Sequence, residues 1–275
     1  MTNKTLVLYT FNKLYYRIEY FIKHALFQAT DVDFCFVISD GRDSVERYGI
    51  PEYARVIHRD NRGFDFGAWS YALLLKDNDV IYPEYNRFIF VNSSVFGPIL
   101  PSYFTGRWTD IYLNGLRDGV KLFGSSINIQ ANAAVQAHVQ SYIFTMDLET
   151  LEYLIDTGIF TNKIYYTNHN DVIQKCEIKM SRDVLAKGWN IGSLLKCFQG
   201  VDFTFRSIPV GDCQNMDLTH EVIRMARYLK YWSEYELVFI KGNRLELLPL
   251  LRYHFPERFA KGMHVTIDRE GKILC

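Results

Sequence analysis

Short apolar runs, rich in β-branched and aromatic residues, alternate with helical patterns over the first hundred residues of this chain. Such runs are typical of strands that are covered on both faces of a sheet. Four of them predict strands, at 5–9, 33–39, 54–58 and 87–92. Apolar residues at helical spacing predict helices at 18–29 and 68–75. The alternation predicts an α/β fold, with a mostly parallel central sheet and helices on both faces.

The second part of the chain continues this pattern and then changes. Further strands are predicted at 120–124 and 140–146, and helices at 148–157 and 181–187, with Gly188 ending the second helix. Beyond about residue 215 the pattern indicates a helix near 218–232, a short helix and a hairpin at 264–274. We therefore expect one domain over 1–214 and a C-terminal helical extension, 215–275, packed on the same domain.

Composition excludes several classes of protein. Lys plus Arg equals Asp plus Glu, at 31 each, which argues against binding to nucleic acid or to an anionic membrane. No run of 18 apolar residues and no signal-peptide pattern is found, so no membrane span is expected. The five cysteines form no CxxC pair, which favours a reducing, cytoplasmic location, and Cys35 is expected to be a core thiol.

Polar residues follow the predicted strands at the edge where open α/β sheets bind ligands. Thr10 follows the first strand, Asp40 the second and Asn92 to Ser94 the fourth. A carboxylate such as Asp40 can accept two hydrogen bonds from a ribose diol or a base edge. The alternative for Asp40 is a turn residue that caps the next segment.

The loop 59–67 combines arginines with glycines before a helix. Gly63 and Gly67 let the backbone approach a ligand, and the helix N-terminus favours an anion. Arg59 and Arg62 could pair with a diphosphate, with Asn61 and Asp65 beside them. Neither a P-loop nor a GxGxxG pattern is present. The alternative is an ordinary loop with turn glycines and solvated arginines.

Glu177 is the candidate catalytic group. It stands just before the predicted helix at 181–187, where a carboxylate could take the proton from an attacking hydroxyl. The alternative is a carboxylate that the helix dipole favours at an N-terminus. His138, Gln140 and Ser141 enter an apolar run and could read sugar hydroxyls, although a buried structural histidine explains His138 equally well.

Five stretches, taken in order, resemble glycosyltransferases of the GT-A fold, and in particular the rhamnan synthesis protein F type and its relatives in capsule and large-virus glycosylation. They are 18–24, 61–69, 90–98, 138–142 and 177–188, and the likeness covers about residues 5–200. The resemblance implies a Rossmann-like nucleotide half, about 1–98, followed by an acceptor half, about 99–214. It places no counterpart on the C-terminal extension.

The resemblance also implies an activity. It is the transfer of a sugar from a nucleotide diphosphate donor, a UDP- or dTDP-sugar, to a glycan hydroxyl with inversion, with Glu177 as the base. The resemblance places Asp40 at the nucleoside and Asn92 to Ser94 at the diphosphate. With the residues argued above, the predicted donor site comprises Thr10, Asp40, Arg59, Asn61, Arg62, Gly63, Asp65, Asn92, Ser93 and Ser94, and the predicted acceptor site comprises His138, Gln140 and Ser141.

Metal dependence is the point at which this sequence departs from the resemblance. Asn92-Ser93-Ser94 stands where such enzymes carry Asp-x-Asp, whose carboxylates hold a divalent ion on the diphosphate. Asn92 and Ser94 are weaker ligands, so no metal ligand is assigned. We expect Mn²⁺ or Mg²⁺ to be held mainly by the diphosphate; Asp40 or Asp65 could assist it, or Arg59 and Arg62 could replace its charge.

Two alternatives from other functional classes stay open. A nucleotidyltransferase uses a related sheet, but it usually has a basic glycine-rich loop after the first strand, and residues 10–13 contain no glycine. A non-catalytic glycan- or protein-binding module on a decayed transferase scaffold is favoured by the missing Asp-x-Asp. Nucleotide binding without transfer would distinguish it from an enzyme.

Overall fold

A seven-stranded sheet forms the centre of the computed structural model, which describes residues 4–40, 48–75, 80–129, 137–204, 232–243 and 253. The strands of the described residues, seven of which form this sheet, are β1 (Thr5–Phe11), β2 (Val32–Ile38), β3 (Arg55–His58), β4 (Arg87–Asn92), β5 (Val95–Phe96), β6 (Val120–Gly124), β7 (Ile127–Asn128), β8 (His138–Val139), β9 (Ile143–Asp147), β10 (Asn190–Ser193) and β11 (Ile240–Lys241). The large sheet has the order β10-β6-β9-β4-β1-β2-β3. Only β9 pairs antiparallel with its neighbours in this sheet. The expected mostly parallel α/β fold is confirmed.

The helices lie on both faces of this sheet. They are α1 (Tyr16–His24), α2 (Phe64–Leu73), α3 (Trp108–Leu113), α4 (Leu148–Asp156), α5 (His169–Val172), α6 (Lys179–Ala186) and α7 (Glu234–Leu237). Tyr9 of β1 packs on Phe21 of α1, with ring centroids 4.3 Å apart. Phe90 of β4 points to the other face, because Tyr9 is in register with Val91, and it packs on Trp69 of α2 at 5.5 Å.

The aromatic richness of the chain is mostly a property of its core. Phe66 and Trp69 of α2 form a buried ring cluster with Phe90, Phe144 and Phe160. Cys35 is fully buried in β2, as expected of a core thiol. No helix in the described part of the chain is long and apolar enough to cross a membrane.

The segment from 169 to 186 differs from the predicted short helix. A π-helical turn, Ile173–Ile178, joins α5 to α6 and makes one continuous helix. Glu177 therefore lies inside a helix and not before one, and Ser181, the first residue of the predicted helix, is an interior residue. The Ser181 hydroxyl accepts a hydrogen bond from the Val139 amide at 3.0 Å, so a tertiary contact explains its polarity. The helix ends before Gly188, which has a positive φ of 81°, as predicted.

Part of the C-terminal extension belongs to the core. Trp232, Leu237, Phe239 and Ile240 are buried, and β11 pairs antiparallel with β5. The Leu237 carbonyl accepts hydrogen bonds from the hydroxyls of Tyr112 and Ser125. The predicted helix at 218–232, apart from its last residue, and the predicted hairpin at 264–274 lie outside the described residues. The boundary at 214 stays a prediction.

Candidate functional site

Two adjacent cavities lie beside the carboxyl ends of the central strands. The β1-side cavity, about 600 Å³, is bordered by the ends of β1 and β2 and by the loop before α2. The helix-side cavity, about 420 Å³, lies between that loop, the segment 138–142 and the helix α5–α6. The two cavities share Phe64, Asp65 and Ser93. This edge of the sheet is where the strand order predicts a ligand site.

Most of the site residues predicted from the sequence line these cavities. The β1-side cavity contains Thr10, Asn61, Arg62 and Gly63; the helix-side cavity contains Asn92, Ser94, His138, Gln140, Ser141 and Glu177; Asp65 and Ser93 line both. Residues far apart in sequence are thus brought together, with the predicted donor groups divided between the cavities and the predicted acceptor groups in one of them.

Asp40 does not line either cavity. Its carboxylate accepts a hydrogen bond from the Tyr48 hydroxyl at 3.0 Å and lies 3.4 Å from His58 Nδ1. These contacts tie the end of β2 to the end of β3. The contact of Asp40 with a nucleoside therefore stays a prediction. In the structure this side chain connects the ends of β2 and β3.

Arg59 also lies outside both linings. Its guanidinium donates to the carbonyls of Asp60 and Arg62, at 2.8 and 2.7 Å, and lies 5.2 and 5.6 Å from the ring centroids of Tyr71 and Tyr165. These contacts fix the shape of the loop. Arg62, by contrast, lines the β1-side cavity and has a largely exposed side chain. Of the two arginines, Arg62 is the one placed to meet a ligand.

The turn into α2 is close-packed and has an unusual backbone. Gly63 and Phe64 both have positive φ, 71° and 53°. A Cβ atom at Gly67 would lie 2.4 Å from the Arg62 carbonyl oxygen, so only glycine permits this close approach. Phe64 is partly exposed on the ridge between the two cavities, and its ring lies 5.8 Å from that of His169.

The side chain of Asn92 links three segments by hydrogen bonds. Its Nδ2 donates to Asp65 Oδ2 at 2.9 Å and to the Ser141 carbonyl at 3.3 Å, and its Oδ1 accepts from the amide and the hydroxyl of Ser94. The oxygen that could have served as a metal ligand is therefore already engaged. No cluster of three or more His, Cys, Asp or Glu suited to a metal occurs in the described ranges. The residues at this site do not fit a divalent ion held by the protein.

Glu177 projects from the π-helical turn into the helix-side cavity. One carboxylate oxygen accepts from the Ser141 amide at 3.2 Å and from the Ser141 hydroxyl, and the other lies 3.4 Å from His138 Nε2. Burial alone would raise the pKa of Glu177, but the hydrogen bond with His138, the charge of Lys241 and the Ser141 hydroxyl together lower it. The group is thus an ionised, oriented carboxylate at neutral pH. Its position inside a helix excludes the helix-capping explanation.

Asp65 has the opposite electrostatic character. Burial raises its pKa to about 6, and the negative charge of Glu177 adds to this effect. The hydrogen bond from Asn92 and the charge of Lys241 partly oppose it. One cavity therefore holds two carboxylates whose surroundings shift their pKa values in opposite directions, an arrangement that concentrates at functional sites.

The predicted acceptor residues are largely buried. Gln140 Oε1 accepts from the Ser126 hydroxyl at 2.6 Å, and Ser126 also contacts the Tyr142 hydroxyl. His138 pairs with Glu177, as described above. Ser141 contributes its amide and hydroxyl to Glu177 and its carbonyl to Asn92. Ser141 and His138 hold the carboxylate in place, whereas Gln140 is tied to Ser126.

Sequence reasoning missed Lys241 and Asn243, which also line the helix-side cavity. Lys241 lies on β11, opposite Val95, which directly follows the Asn92–Ser94 loop. A two-residue strand followed by a glycine has no periodicity that indicates its position. The one signal in the sequence is the polar stretch Lys-Gly-Asn, which directly follows an apolar run and is typical of exposed residues.

The comparisons with known proteins agree with the motif resemblance. Residues 37–231 match the family model described as rhamnan synthesis protein F. The virulence protein VirA of Vibrio anguillarum is 28% identical over 138 residues, which are 48% of this chain and 39% of VirA. The uncharacterized protein y4gN of Sinorhizobium fredii is 24% identical over 245 residues, which are 82% of this chain and 60% of that protein. The chain thus spans less than two thirds of the length of either relative.

Solved structures with partial similarity include mouse xyloside xylosyltransferase 1 in its apo form, with 11% identity, 62% of this chain and 74% of that chain covered, and a TM-score of 0.33. A glycosyltransferase involved in the glycosylation of the major capsid of PBCV-1 has 9% identity, coverages of 62% and 75%, and a TM-score of 0.29.

The family match itself extends over more than half of the chain. The chain therefore belongs to the rhamnan synthesis protein F family, the glycosyltransferase-like family that its motifs resemble.

Proposed function

We propose that this protein is an inverting glycosyltransferase that moves a sugar from a UDP- or dTDP-sugar to a glycan hydroxyl. The observation that carries the proposal is the junction of two cavities at Asp65 and Ser93, with an ionised, oriented carboxylate, Glu177, in one of them. The two cavities adjoin, so two substrates can meet there, and Glu177 in one of them can act as the base. Membership of the rhamnan synthesis protein F family supports a role in glycan synthesis.

The donor nucleotide occupies the β1-side cavity in this proposal. Asn61 and Ser93 offer small polar groups there, and Arg62 brings a positive charge. The buried Thr10 hydroxyl donates to the Val37 carbonyl at 3.2 Å and borders the cavity. Helix α2 starts at this cavity, so its N-terminal amides favour the diphosphate. Tyr165 and Tyr166 supply aromatic surface for the base.

The acceptor glycan occupies the helix-side cavity. Its hydroxyl oxygen attacks the anomeric carbon while Glu177 takes the hydroxyl proton. The bond from the anomeric carbon to the phosphate oxygen breaks, and its electron pair leaves with the diphosphate. A positioned base of this kind contributes about 10² to 10⁴-fold to the rate. Ser141 and His138 hold the carboxylate so that little orientation is lost in reaching the transition state.

The first test is a thermal-shift panel of UDP-, dTDP-, GDP- and CMP-sugars. We expect a UDP- or dTDP-sugar to stabilise the protein, by about 2.7 kcal/mol at a concentration of 100 times its Kd. Arg62→Ala should weaken this binding. Arg117→Ala is the matched control, because Arg117 is an exposed arginine outside both linings. If no nucleotide or nucleotide sugar binds, the proposal fails.

The products separate the alternatives. A glycosyltransferase releases a nucleoside diphosphate when an acceptor glycan is present, whereas a nucleotidyltransferase releases pyrophosphate. Binding of nucleotide with neither product, over a panel of acceptor glycans, would favour the non-catalytic module. The absence of Asp-x-Asp carboxylates is the observation that favours this non-catalytic alternative.

A further inference from the structure

Lys241 is the one lysine or arginine among the described residues that line the helix-side cavity. Two carboxylates, Asp65 and Glu177, line the same cavity. We propose that the Lys241 ammonium neutralises the diphosphate leaving group of the donor, and that transfer proceeds without a divalent ion held by the protein. This inference rests on the proposed function, because it concerns the charge of the donor in that reaction.

The fold places Lys241 beside the loop at which the two cavities meet. In the β5–β11 pair, Lys241 is opposite Val95, and Ser94 immediately precedes Val95. Ser93, in the same loop, lines both cavities. A diphosphate that joins a nucleotide in the β1-side cavity to a sugar in the helix-side cavity must pass this loop. Lys241 is therefore on the helix-side border of that passage.

The backbone that carries Lys241 is firmly held. Ile240 and its partner Phe96 are both buried, and Phe239 packs on the ring of Trp108 at a centroid distance of 5.0 Å. A Cβ atom at Gly242 would lie 2.5 Å from Phe96 Cβ, so the chain passes very close to β5 here. A cation on such a backbone is preorganised, which is what stabilisation of a developing charge requires.

A diphosphate bound beside the helix-side cavity needs a cation, because two carboxylates line that cavity. An anionic diphosphate brought next to two carboxylates is repelled, and partly buried charges are poorly screened. The described residues offer no metal cluster, and the Asn92 oxygen is engaged by Ser94. Lys241 is close enough to act electrostatically on both carboxylates, since its charge lowers the pKa of each. It therefore meets the charge requirement that Asp-x-Asp and a divalent ion would otherwise meet.

Asn243 gives a second, independent indication that this segment faces a ligand. Its Oδ1 is buried and has no hydrogen-bond partner in the described structure, although the residue lines the cavity. Buried polar atoms in folded proteins nearly always have a partner. A sugar hydroxyl is a donor of the right chemistry for this oxygen, two residues beyond Lys241.

In the transfer step, the acceptor oxygen forms the new bond to the anomeric carbon, and its proton passes to Glu177. The bond between the anomeric carbon and the phosphate oxygen breaks, and the electron pair stays on the diphosphate. The Lys241 ammonium keeps its protons throughout and pairs with the phosphate oxygen as its negative charge grows. No redox partner or further reactant is needed.

The test compares Lys241→Met, which removes the charge but keeps a long side chain, with Lys241→Arg, which keeps the charge. Lys23→Met is the matched control, because Lys23 is an exposed lysine of α1. Calorimetry measures the Kd of the nucleoside diphosphate and the nucleoside monophosphate of the base found in the thermal-shift panel, in EDTA and in Mn²⁺. Turnover of the donor is measured in the same buffers.

We expect the wild type to bind the diphosphate and to turn over in EDTA. Lys241→Met should weaken diphosphate binding by about 10-fold or more, leave monophosphate binding within about 3-fold, and lower turnover by about 10² to 10³-fold. Lys241→Arg should recover most of both, and Lys23→Met should behave as the wild type.

Loss of wild-type turnover or diphosphate binding in EDTA, with recovery in Mn²⁺, would overturn the inference even if Lys241→Met does not fold. Unchanged diphosphate binding and turnover in a folded Lys241→Met would overturn it as well. In both cases the glycosyltransferase proposal survives, because the wild type still transfers sugar. If the wild type binds no nucleotide under any condition, it is the proposed function that fails.

Discussion

Asp65 and Glu177 share a cavity, but their surroundings give them different protonation behaviour. Burial raises the pKa of Asp65 to about 6. Glu177 is also buried, but its contacts with His138, Lys241 and Ser141 lower its pKa. At neutral pH Glu177 is thus the more firmly ionised of the two, while the buried charge of Asp65 is unfavourable and is partly offset by Lys241.

This difference predicts how stability depends on pH. Asp65 has a raised pKa in the folded state, so its favourable contribution is complete at low pH and is lost as pH rises through about 6. Asp65→Asn keeps a carbonyl for the Asn92 hydrogen bond and cannot ionise. We expect its free energy of unfolding, relative to the wild type, to increase by on the order of 1 kcal/mol between pH 5 and pH 8.

Urea unfolding of both proteins at several pH values in this window measures the difference directly. The Glu177 contribution does not enter it, because a lowered pKa causes a loss of stability only at more acidic pH. A difference between Asp65→Asn and the wild type that stays constant from pH 5 to pH 8 would show that Asp65 titrates normally.

Phe64 is a strained and partly exposed aromatic residue between the two cavities. Its φ of 53° is left-handed, which costs a residue with a side chain about 1 kcal/mol. We interpret the ring as a platform for one face of the donor sugar. Phe64→Gly should change the free energy of unfolding by less than about 1 kcal/mol, because relief of strain offsets the flexibility of glycine. Calorimetry should nevertheless show about 10-fold weaker binding of the nucleotide sugar, with nucleotide binding unchanged.

Asp118→Gly is the control for Phe64→Gly, since Asp118 also has a φ of 53° but lies on an exposed turn. It should leave the affinity for the nucleotide sugar unaltered. Equal affinity of Phe64→Gly and the wild type for the nucleotide sugar would remove Phe64 from the site.

At the scale of elements, six of the seven strands of the sheet were predicted, whereas β10 and the helix that carries Glu177 were not. The strand at 87–92 was predicted with the observed bounds, and those at 5–9, 33–39 and 54–58 differ by two residues or fewer, because apolar runs mark buried strands. The π-helical turn depends on tertiary contacts, from Ser141 to Glu177 and from Val139 to Ser181, and these are absent from any local pattern. β11 was not predicted for the same reason, because its pairing with β5 is a tertiary contact.

The site was predictable where it lies at strand ends. Thr10 and Ser93 were placed by the rule that ligands bind at the carboxyl edge of the sheet, and they line the β1-side cavity. Asp40 satisfies the same rule but is engaged with Tyr48 and His58. Sequence position fixes which edge a residue reaches, whereas the direction of its side chain depends on neighbours from other strands.

The segment 232–243 is expected to unfold together with the rest of the domain. Phe239 is fully buried and contacts the rings of Phe21, Trp108 and Tyr112. Phe239→Ala should therefore lower the free energy of unfolding by about 3 to 5 kcal/mol, as large-to-small changes in a core do. Urea unfolding followed by far-UV circular dichroism measures this loss as a shift of a single transition.

Tyr103→Ala serves as the control for Phe239→Ala, because Tyr103 is 84% exposed, and it should change stability by about 0.5 kcal/mol or less. If Phe239→Ala were as stable as Tyr103→Ala, the segment would not belong to the cooperative core, and the position of Lys241 would lose its support.

The whole molecule is neutral, but its site is locally charged. With 31 positive and 31 negative side chains, no long-range field attracts an anionic donor. Binding must come from the groups at the carboxyl edge of the sheet, where Arg62, the start of α2 and Lys241 surround the junction of the cavities. The sheet holds both cavities in a fixed relation, and in the proposed reaction it brings donor and acceptor together near Glu177.

The most direct test of this account is sugar transfer by Glu177→Gln, with the donor found in the thermal-shift panel and mass-spectrometric detection of the glycosylated acceptor. Glu152→Gln, which changes an exposed carboxylate of α4, is the matched control. We expect Glu177→Gln to lose transfer by about 100-fold or more, with the donor Kd within about 3-fold of the wild type and a stability loss of about 1 to 3 kcal/mol from its altered hydrogen bonds. Transfer by folded Glu177→Gln at the rate of the wild type and of Glu152→Gln would contradict the account, because the reaction would then have no need of this carboxylate.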